Sequence, residues 1–234
     1  LVLDEMNLSY VERYFADFLS ALESHEEIPL WEKHDECDSE VPAKIALPRN
    51  LFIIGTINVE ETTYMFSPKV LDRANVIEFK ISDDEMDRFL KQNMNIDVQA
   101  ADGLCANMGQ DFVAKSTKKD TESSELAQKT LCDFFKVLKK VNAEFGYRSA
   151  TEIYRFIANA KAGAEGITEY EILDAAIVQK LLPKLHGSRK KLEPALKALW
   201  GLSMQNEHTT EAITLDNVAF AKFPEAADKV QRMM

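Results

Sequence analysis

Residues 51–58 read LFIIGTIN, an apolar run that ends at Asn58. A second run, LVL at residues 1–3, stops at the acidic pair Asp4-Glu5. Short apolar runs with polar residues at their ends are typical of strands buried in a parallel sheet. The carboxyl ends of neighbouring strands in such a sheet open onto one crevice, where ligands bind. We therefore predict a parallel sheet with Asp4, Glu5 and Asn58 along one edge.

The residues around these two runs predict the rest of an α/β core. Apolar residues recur at helical spacing from Tyr10 to about Glu23. Segments 28–31 and 44–47 alternate as the two strands of a β-hairpin do. A third short buried strand is expected at 76–79. The order of strands and helices favours a parallel α/β domain over residues 1–81.

From residue 82 onward only helical patterns occur, so we predict an α-helical domain over 82–234. Capping-box patterns occur at Ser82–Glu85, Ser149–Glu152 and Thr168–Glu171, each at the start of an apolar-periodic stretch. The polar, weakly periodic residues at about 92–124 predict an inserted loop. Further helices are predicted at 126–145, 172–185, 192–200, 215–220 and 226–234.

The charge balance argues against a nucleic-acid interface on this chain. It has 28 Lys and Arg against 39 Asp and Glu, for a formal net charge of −11. Affinity for duplex DNA comes from neutralising phosphates, which needs a basic surface. The local basic run at 189–191 is interpreted as a solvated helix face, with a nucleic-acid contact as the alternative.

The cysteines and the hydropathy indicate a cytoplasmic protein. Three cysteines occur, an odd number, with no C-x-x-C pair. Reduced thiols in the cytoplasm are the simplest interpretation of that number and spacing. The longest apolar stretch, at about 51–57, is far too short to cross a bilayer, so no membrane association is expected.

An acidic pair at the tip of a buried strand has a use in phosphate chemistry. The Asp can hold Mg²⁺ through water, and the following Glu can polarise the attacking water. An amide at Asn58 can hold that water or the terminal phosphate. The alternatives are that Asp4-Glu5 only begins a loop or caps a helix, and that Asn58 forms a turn. Asn7 either orients Glu5 or caps the next helix.

Three segments carry a resemblance to a known family. They read LVLDEMNLSYVERYFADFLSALE at 1–23, LPRNLFIIGTINVEETTYMFSPKVLDRANVIEF at 47–79, and FGYRSATEIYRFI at 145–157. The sequence resembles AAA+ nucleoside triphosphatases of the McrB and MoxR-like branch. The first segment is similar to their Walker B strand and following helix, the second to their sensor 1 strand and Leu-Asp-Arg segment, and the third to their sensor 2 helix.

The resemblance implies a fold and a set of residue roles. The fold would be the C-terminal portion of a P-loop NTPase parallel sheet, followed by an α-helical lid. Asp4 would be the magnesium-side acid, Glu5 the residue that activates water, and Asn58 sensor 1. Arg73 would be the arginine finger donated to the neighbouring subunit's nucleotide, and Arg148 would be sensor 2, which reaches the γ-phosphate.

Guanidinium groups suit these last two roles because they offer planar, paired donors to phosphate oxygens. An arginine supplied in trans can raise the rate by orders of magnitude. The alternative for Arg73 is a surface ion pair with Asp72. The alternative for Arg148 is a surface arginine beside a helix start, where the positive helix end gives it no attraction.

The resemblance also implies a function and partners. The protein would be an ATP- or GTP-hydrolysing motor subunit that works with Mg²⁺ in a homo-oligomeric ring, expected to be a hexamer. Within the McrB branch it would drive a modification-dependent DNA restriction system with a nuclease or other effector subunit. DNA would bind through another domain. The alternatives are a catalytically inactive AAA+-derived scaffold or interaction subunit, and an unrelated helical adaptor.

One part of the family pattern is missing. No G-x-x-x-x-G-K-[S/T] phosphate-binding loop occurs in the 234 residues. The first residue is Leu1, and the sequence opens directly with the strand-like run. We therefore expect this sequence to be part of a longer polypeptide, which hydrolyses nucleotide, and the 234-residue chain alone to be inactive.

Overall fold

A computed structural model describes residues 1–31, 41–58, 66–92, 97–204 and 221–234. The chain divides into two compact units, Leu1–Arg73 and Ala74–Met234. The helix predicted at 215–220 lies outside the described residues. Within the described residues, no helix combines the length and the apolar composition that a bilayer crossing requires.

In the part of the first unit that the structure describes, the strands form two short pairs. The parallel pair joins β1 (Val2–Leu3) to β4 (Ile54–Gly55), with Val2 opposite Ile54 and Leu3 opposite Gly55. The antiparallel pair joins β2 (Ile28–Pro29) to β3 (Lys44–Ile45). This second pair confirms the predicted hairpin. The parallel pair joins the two apolar runs, while the wider P-loop sheet stays a prediction.

The strands of the parallel pair are covered on one face only, so the prediction of fully buried strands is wrong. Leu3 and Ile53 pack against the small core of this unit. Val2 and Ile54 lie 65% and 59% exposed. Successive side chains of a strand point to opposite faces, so one covered face leaves alternate residues in water.

The helices of the first unit pack beside this pair. They are α1 (Val11–Tyr14), α2 (Ala16–Ser24) and α3 (Pro68–Leu71), with a 3-10 turn at Met6–Leu8. The single helix predicted from Tyr10 to Glu23 is interrupted at Phe15, whose φ of −113° and ψ of 10° leave the helical region. Phe15 is buried with Val11 and Val70 and stacks on Phe18 at 4.9 Å between ring centroids. The break therefore lies at a core residue.

The second unit is helical. Its helices are α4 (Asp83–Gln92), α5 (Gly109–Ser116), α6 (Glu125–Lys139), α7 (Tyr147–Gly163), α8 (Glu169–Ala176), α9 (Arg189–Ser203) and α10 (Pro224–Met233). Short 3-10 turns span Val98–Ala101, Ala106–Met108 and Leu182–Lys184, and a π-helical turn spans Ile177–Leu181.

The core of this unit lies among α6 to α10. Its largest fully buried side chains are Phe134, Phe223, Leu138, Ile153, Ile157, Ile172, Leu173, Ile177, Leu181, Leu182, Leu196 and Leu199. Residues 97–123 are exposed throughout, yet they include α5 and two 3-10 turns. The prediction of a loop at 92–124 is therefore wrong for residues 109–116, where a helix forms on the surface.

The strand predicted at 76–79 is absent. Residues 74–82 form an extended segment that belongs to no ladder. Its alternate charged residues pair with α10 instead. Glu78 contacts Lys229 and Arg232, and Lys80 contacts Glu225 and Asp228. Side-chain ion pairs to a helix thus take the place of main-chain pairing to a strand.

Two of the three predicted capping boxes are confirmed. Ser82 and Glu85 exchange main-chain and side-chain hydrogen bonds at the start of α4, and Thr168 and Glu171 do so at the start of α8. The third is wrong. Helix α7 begins at Tyr147, after Gly146, so Ser149 lies inside the helix and is buried.

The π-helical turn has a cause in the sequence. Proline has no amide hydrogen, so Pro183 cannot donate to the carbonyl of Gln179, four residues earlier, and its ring crowds that carbonyl. The Gln179 carbonyl accepts from the Val76 amide instead, at 3.0 Å. The chain therefore leaves α8 through a wider turn, Ile177–Leu181, and the segment at 74–82 is anchored there.

Candidate functional site

Thr56 connects the ends of the two parallel strands. Its amide donates to the Leu3 carbonyl at 2.9 Å, and its own carbonyl accepts from the Met6 amide at 2.8 Å. Its hydroxyl donates to the Asp4 carboxylate and accepts from the Glu5 amide, the latter at 2.9 Å. One threonine therefore holds both residues of the acidic pair.

Glu5 has a left-handed backbone, with φ 49° and ψ 47°. This region is unfavourable for residues other than glycine and costs on the order of 1–3 kcal/mol where surrounding contacts enforce it. Here the Thr56 hydroxyl fixes the Glu5 amide, and the 3-10 turn of Met6–Leu8 follows at once. The Glu5 residue itself is exposed. The fold thus holds an exposed carboxylate on a constrained backbone.

Asn7 makes a contact that differs from both sequence interpretations. Its Nδ2 donates to the main-chain oxygen of Asn58 at 3.0 Å. Asn7 is 5% exposed, and its Oδ1 is buried with no hydrogen-bond partner among the described residues. The buried amide therefore ties the turn after β1 to the end of β4. Asp4, Glu5, Thr56 and Asn58 lie together at one edge of the parallel pair.

The acidic edge suits a metal that keeps most of its water. Among the described residues, no group of three or more His, Cys, Asp or Glu side chains gathers to hold an ion. Mg²⁺ is usually bound through one or two carboxylates, with water and substrate phosphates as the other ligands. The Asp4 carboxylate, exposed and bonded through Oδ1 to Thr56, fits that kind of ligation.

Arg73 is held within its own unit. Its Nη1 donates to the Lys69 carbonyl at 2.7 Å, and its Nη2 forms an ion pair with Glu23 of α2. The Arg73 side chain is 23% exposed. To contact a phosphate bound by another subunit, Arg73 would have to break its contacts with Lys69 and Glu23.

Arg148 lies in the first turn of α7, in a cationic surrounding. Its Nε is 3.4 Å from Glu152 Oε1. The same carboxylate pairs with Lys180, and a second lysine, Lys184, donates to the Ser149 hydroxyl at 3.3 Å. Lys180 and Lys184 are 3% and 4% exposed. Arg148 and Lys180 therefore share the Glu152 carboxylate near the start of α7, where Lys184 contacts Ser149. Cations at the positive end of a helix attract anions.

Neither buried lysine was predicted from the sequence. Lysine is rarely buried, so composition gives no signal. A signal exists in the spacing, because Ile172, Ala176, Lys180 and Lys184 follow one another at four-residue intervals and all four are buried. Residues at that spacing share a helix face, so the two lysines continue an apolar row.

Comparison with known proteins assigns the larger part of the second unit to a family. Residues 97–234 match the family described as Domain of unknown function (DUF8727), which is more than half of the chain. The chain belongs to the DUF8727 family. Searches of curated proteins and of solved structures found no match. The DUF8727 region contains α5 to α10 and therefore Arg148, Lys180 and Lys184. Asp4, Glu5, Asn58 and Arg73 precede that region.

Proposed function

We propose that this chain is the Walker B-to-lid part of a AAA+ nucleoside triphosphatase of the McrB and MoxR-like branch. The observation that supports it best is the pair of hydrogen bonds at the Thr56 hydroxyl, which donates to the Asp4 carboxylate and accepts from the Glu5 amide. Through them an acidic pair lies next to the strand that leads to Asn58, and the two strands run parallel. Carboxylates at such an edge are suited to nucleotide chemistry.

Each residue of the edge has a role in the proposed reaction. Asp4 would hold Mg²⁺ through water, and the ion would supply charge neutralisation at the phosphates of ATP or GTP. Glu5 accepts hydrogen bonds from the attacking water and polarises it. Asn58 holds that water or the terminal phosphate. Thr56 and Asn7 keep the three in register through the contacts described above.

The two arginines complete the proposal. Arg73 leaves Glu23 to reach the nucleotide of a neighbouring subunit, so hydrolysis depends on a homo-oligomeric ring, expected to be a hexamer. Arg148 approaches the γ-phosphate from the helical unit. The net charge of −11 agrees with DNA binding through another domain. A nuclease or other effector subunit is the partner that the resemblance implies. The protein works in the cytoplasm, where thiols such as those of Cys105 and Cys132 stay reduced.

The proposal needs a phosphate-binding loop from residues outside this sequence, since residues 1–234 contain no G-x-x-x-x-G-K-[S/T] motif. The β- and γ-phosphates are held mainly by such a loop. Residues 1–234 alone are therefore expected to show no turnover of ATP or GTP. Turnover by that chain would contradict this part of the proposal.

The decisive experiment is Glu5→Gln in the polypeptide that joins this chain to a phosphate-binding loop. We expect unchanged nucleotide binding and a loss of turnover of about 10²–10⁴-fold, the usual range for a general base. Glu26→Gln, at an exposed carboxylate of the same unit, is the matched control and should keep full turnover. Equal rates for the two variants would remove Glu5 from the mechanism. A wild-type protein without any turnover would favour the inactive scaffold.

A further inference from the structure

We infer that Lys180 and Glu152 are positioning residues, which fix the direction of Arg148. The inference rests on the proposed role of Arg148 in nucleotide hydrolysis. It deepens that role, because it assigns the arginine's orientation to an ion pair between Glu152, one helical turn away on α7, and Lys180, a buried lysine of another element.

Lys180 is the fixed member of this group. It lies on the π-helical turn, is 3% exposed, and donates to the Ala74 carbonyl at 3.0 Å while it pairs with Glu152. A buried ammonium is unfavourable unless it is paired and hydrogen-bonded, and both conditions are met here. Its surroundings therefore leave the ammonium little freedom to move.

Glu152 transmits this fixed position to Arg148. One carboxylate oxygen contacts Lys180, and the other lies 3.4 Å from Arg148 Nε. Arg148 and Glu152 are one helical turn apart on α7, and their side chains are 37% and 32% exposed. A pair so exposed and so spaced would contribute little order by itself. Because the buried lysine holds one oxygen, the other oxygen gives the guanidinium a defined direction.

The position of Lys180 has an origin in the backbone. Pro183 prevents a regular α-helical turn, and the Gln179 carbonyl accepts from Val76 instead. The same turn therefore binds the extended segment twice, through the Val76 amide and through the Ala74 carbonyl. Ala74 follows Arg73 directly in the sequence. One ammonium thus joins the segment after Arg73 to the helix that carries Arg148.

The first test measures order at Arg148 directly, in chain 1–234 and without nucleotide. The heteronuclear NOE of the Arg148 Nε–Hε group reports fast motion of the guanidinium. Lys180→Met should lower this NOE below its wild-type value. Lys197→Met, which removes the cation of the exposed Glu193–Lys197 pair, is the matched control and should leave it unchanged. An unchanged NOE in Lys180→Met would overturn the inference.

The second test separates positioning from stability. Lys180→Met leaves Glu152 without its buried partner, so a loss of thermal stability is expected. The double variant Lys180→Met/Glu152→Gln removes both charges and should recover most of the melting temperature. In the loop-containing polypeptide, both variants should lower kcat by roughly 10-fold to 100-fold with a smaller change in KM, as expected for a misplaced group. Recovery of kcat together with melting temperature in the double variant would show a purely structural role.

The proposed function and this inference fail in different ways. If Arg148→Ala keeps wild-type turnover, Arg148 has no role in hydrolysis, and the NOE result is unaffected. If Arg148→Ala loses turnover while Lys180→Met keeps it, the proposed function stands and the positioning role of Lys180 is overturned.

Discussion

The carboxylate of Asp174 accepts a hydrogen bond from the main-chain amide of Ala226 at 2.8 Å, across 52 positions of sequence. Its other oxygen accepts from the Glu225 amide, also at 2.8 Å. These amides belong to the first turn of α10, which lacks a capping side chain of its own. Helix α8 therefore supplies the cap of α10. Burial raises the pKa of Asp174 even though both amide bonds favour its charged form.

Removal of this cap should destabilise the second unit. Asp174→Ala leaves two buried amides without their acceptors, so we expect a loss of about 1–3 kcal/mol in the free energy of unfolding. Asp174→Asn retains one acceptor oxygen and should lose less. Urea titration followed by circular dichroism measures both. Asp111→Ala, at an exposed aspartate of α5, is the control. Equal effects of Asp174→Ala and Asp111→Ala would contradict the capping role.

Glu78 should make the stability of the same unit depend on pH. The Arg232 hydrogen bond, together with Lys229 and against the effect of burial, lowers the pKa of Glu78 from 4.5 to about 2. A carboxyl whose pKa is lowered by folding stabilises the folded state at pH values above its pKa in the unfolded chain. This contribution disappears as pH falls from about 4.5 towards 2. Glu78→Gln should therefore be less stable than wild type at pH 7, by about 1 kcal/mol.

Unfolding curves between pH 2 and 7 test this directly. The difference between wild type and Glu78→Gln should shrink through the stated window and vanish at its acid end. Glu144→Gln, at an exposed glutamate outside the described ion pairs, should track wild type at every pH. A difference that stays constant with pH would exclude the Glu78 ion pairs as its source.

Asn7 should hold the first unit together at the candidate site. In Asn7→Asp the donor to the Asn58 oxygen is replaced by a carboxylate oxygen, and two acceptors then face each other in a buried place. We expect a loss of about 1–3 kcal/mol in the unfolding free energy. Asn50→Asp, in the exposed turn before β4, makes the same chemical change and should have little effect. Hydrogen exchange at the Thr56 amide gives a local readout of the same change.

The proposed trans role of Arg73 can be tested by mixing subunits. Arg73→Ala and Glu5→Gln variants of the loop-containing polypeptide should each be inactive. In a mixed ring, an Arg73→Ala subunit still has Glu5, and a Glu5→Gln neighbour can supply Arg73 to it. In a random ring from equal amounts of the two variants, roughly a quarter of the interfaces combine them in this order. Partial recovery of turnover is therefore expected. A mixture of Glu5→Gln with Asp4→Asn is the control, because no interface regains a complete acidic pair. Absence of recovery in the first mixture would contradict donation in trans.

Local patterns predicted the elements whose determinants are close in sequence. The hairpin of β2 and β3 and the capping boxes at Ser82 and Thr168 depend on residues a few positions apart. Ser149 has the same pattern but fails, because Gly146 starts the helix earlier and Lys184 contacts the Ser149 hydroxyl from another element. That contact is tertiary, so no local pattern contains it.

At the candidate site, too, local patterns predicted some features, while those that depend on tertiary contacts had no signal. The neighbourhood of Asp4 and Asn58 could be anticipated from two strand-like runs and the geometry of parallel sheets. The contacts of Thr56 and Asn7 could not, since they depend on the register of β1 against β4 and on the left-handed turn at Glu5. Burial of Lys180 follows the four-residue spacing from Ile172 and Ala176, whereas its contact with the Ala74 carbonyl is tertiary and has no local signal. The catalytic roles of Asp4, Glu5, Asn58, Arg73 and Arg148 stay predictions.

The ion pairs of Glu78 and Lys80 with α10 bring the beginning and the end of the second unit side by side. Termini that adjoin in space allow circular permutation. A short linker from Met234 to Ala74, with new termini opened near the exposed Asp120, would preserve the order of every core helix pair. The permuted unit is therefore expected to fold with the same helix packing, which thermal unfolding followed by circular dichroism measures.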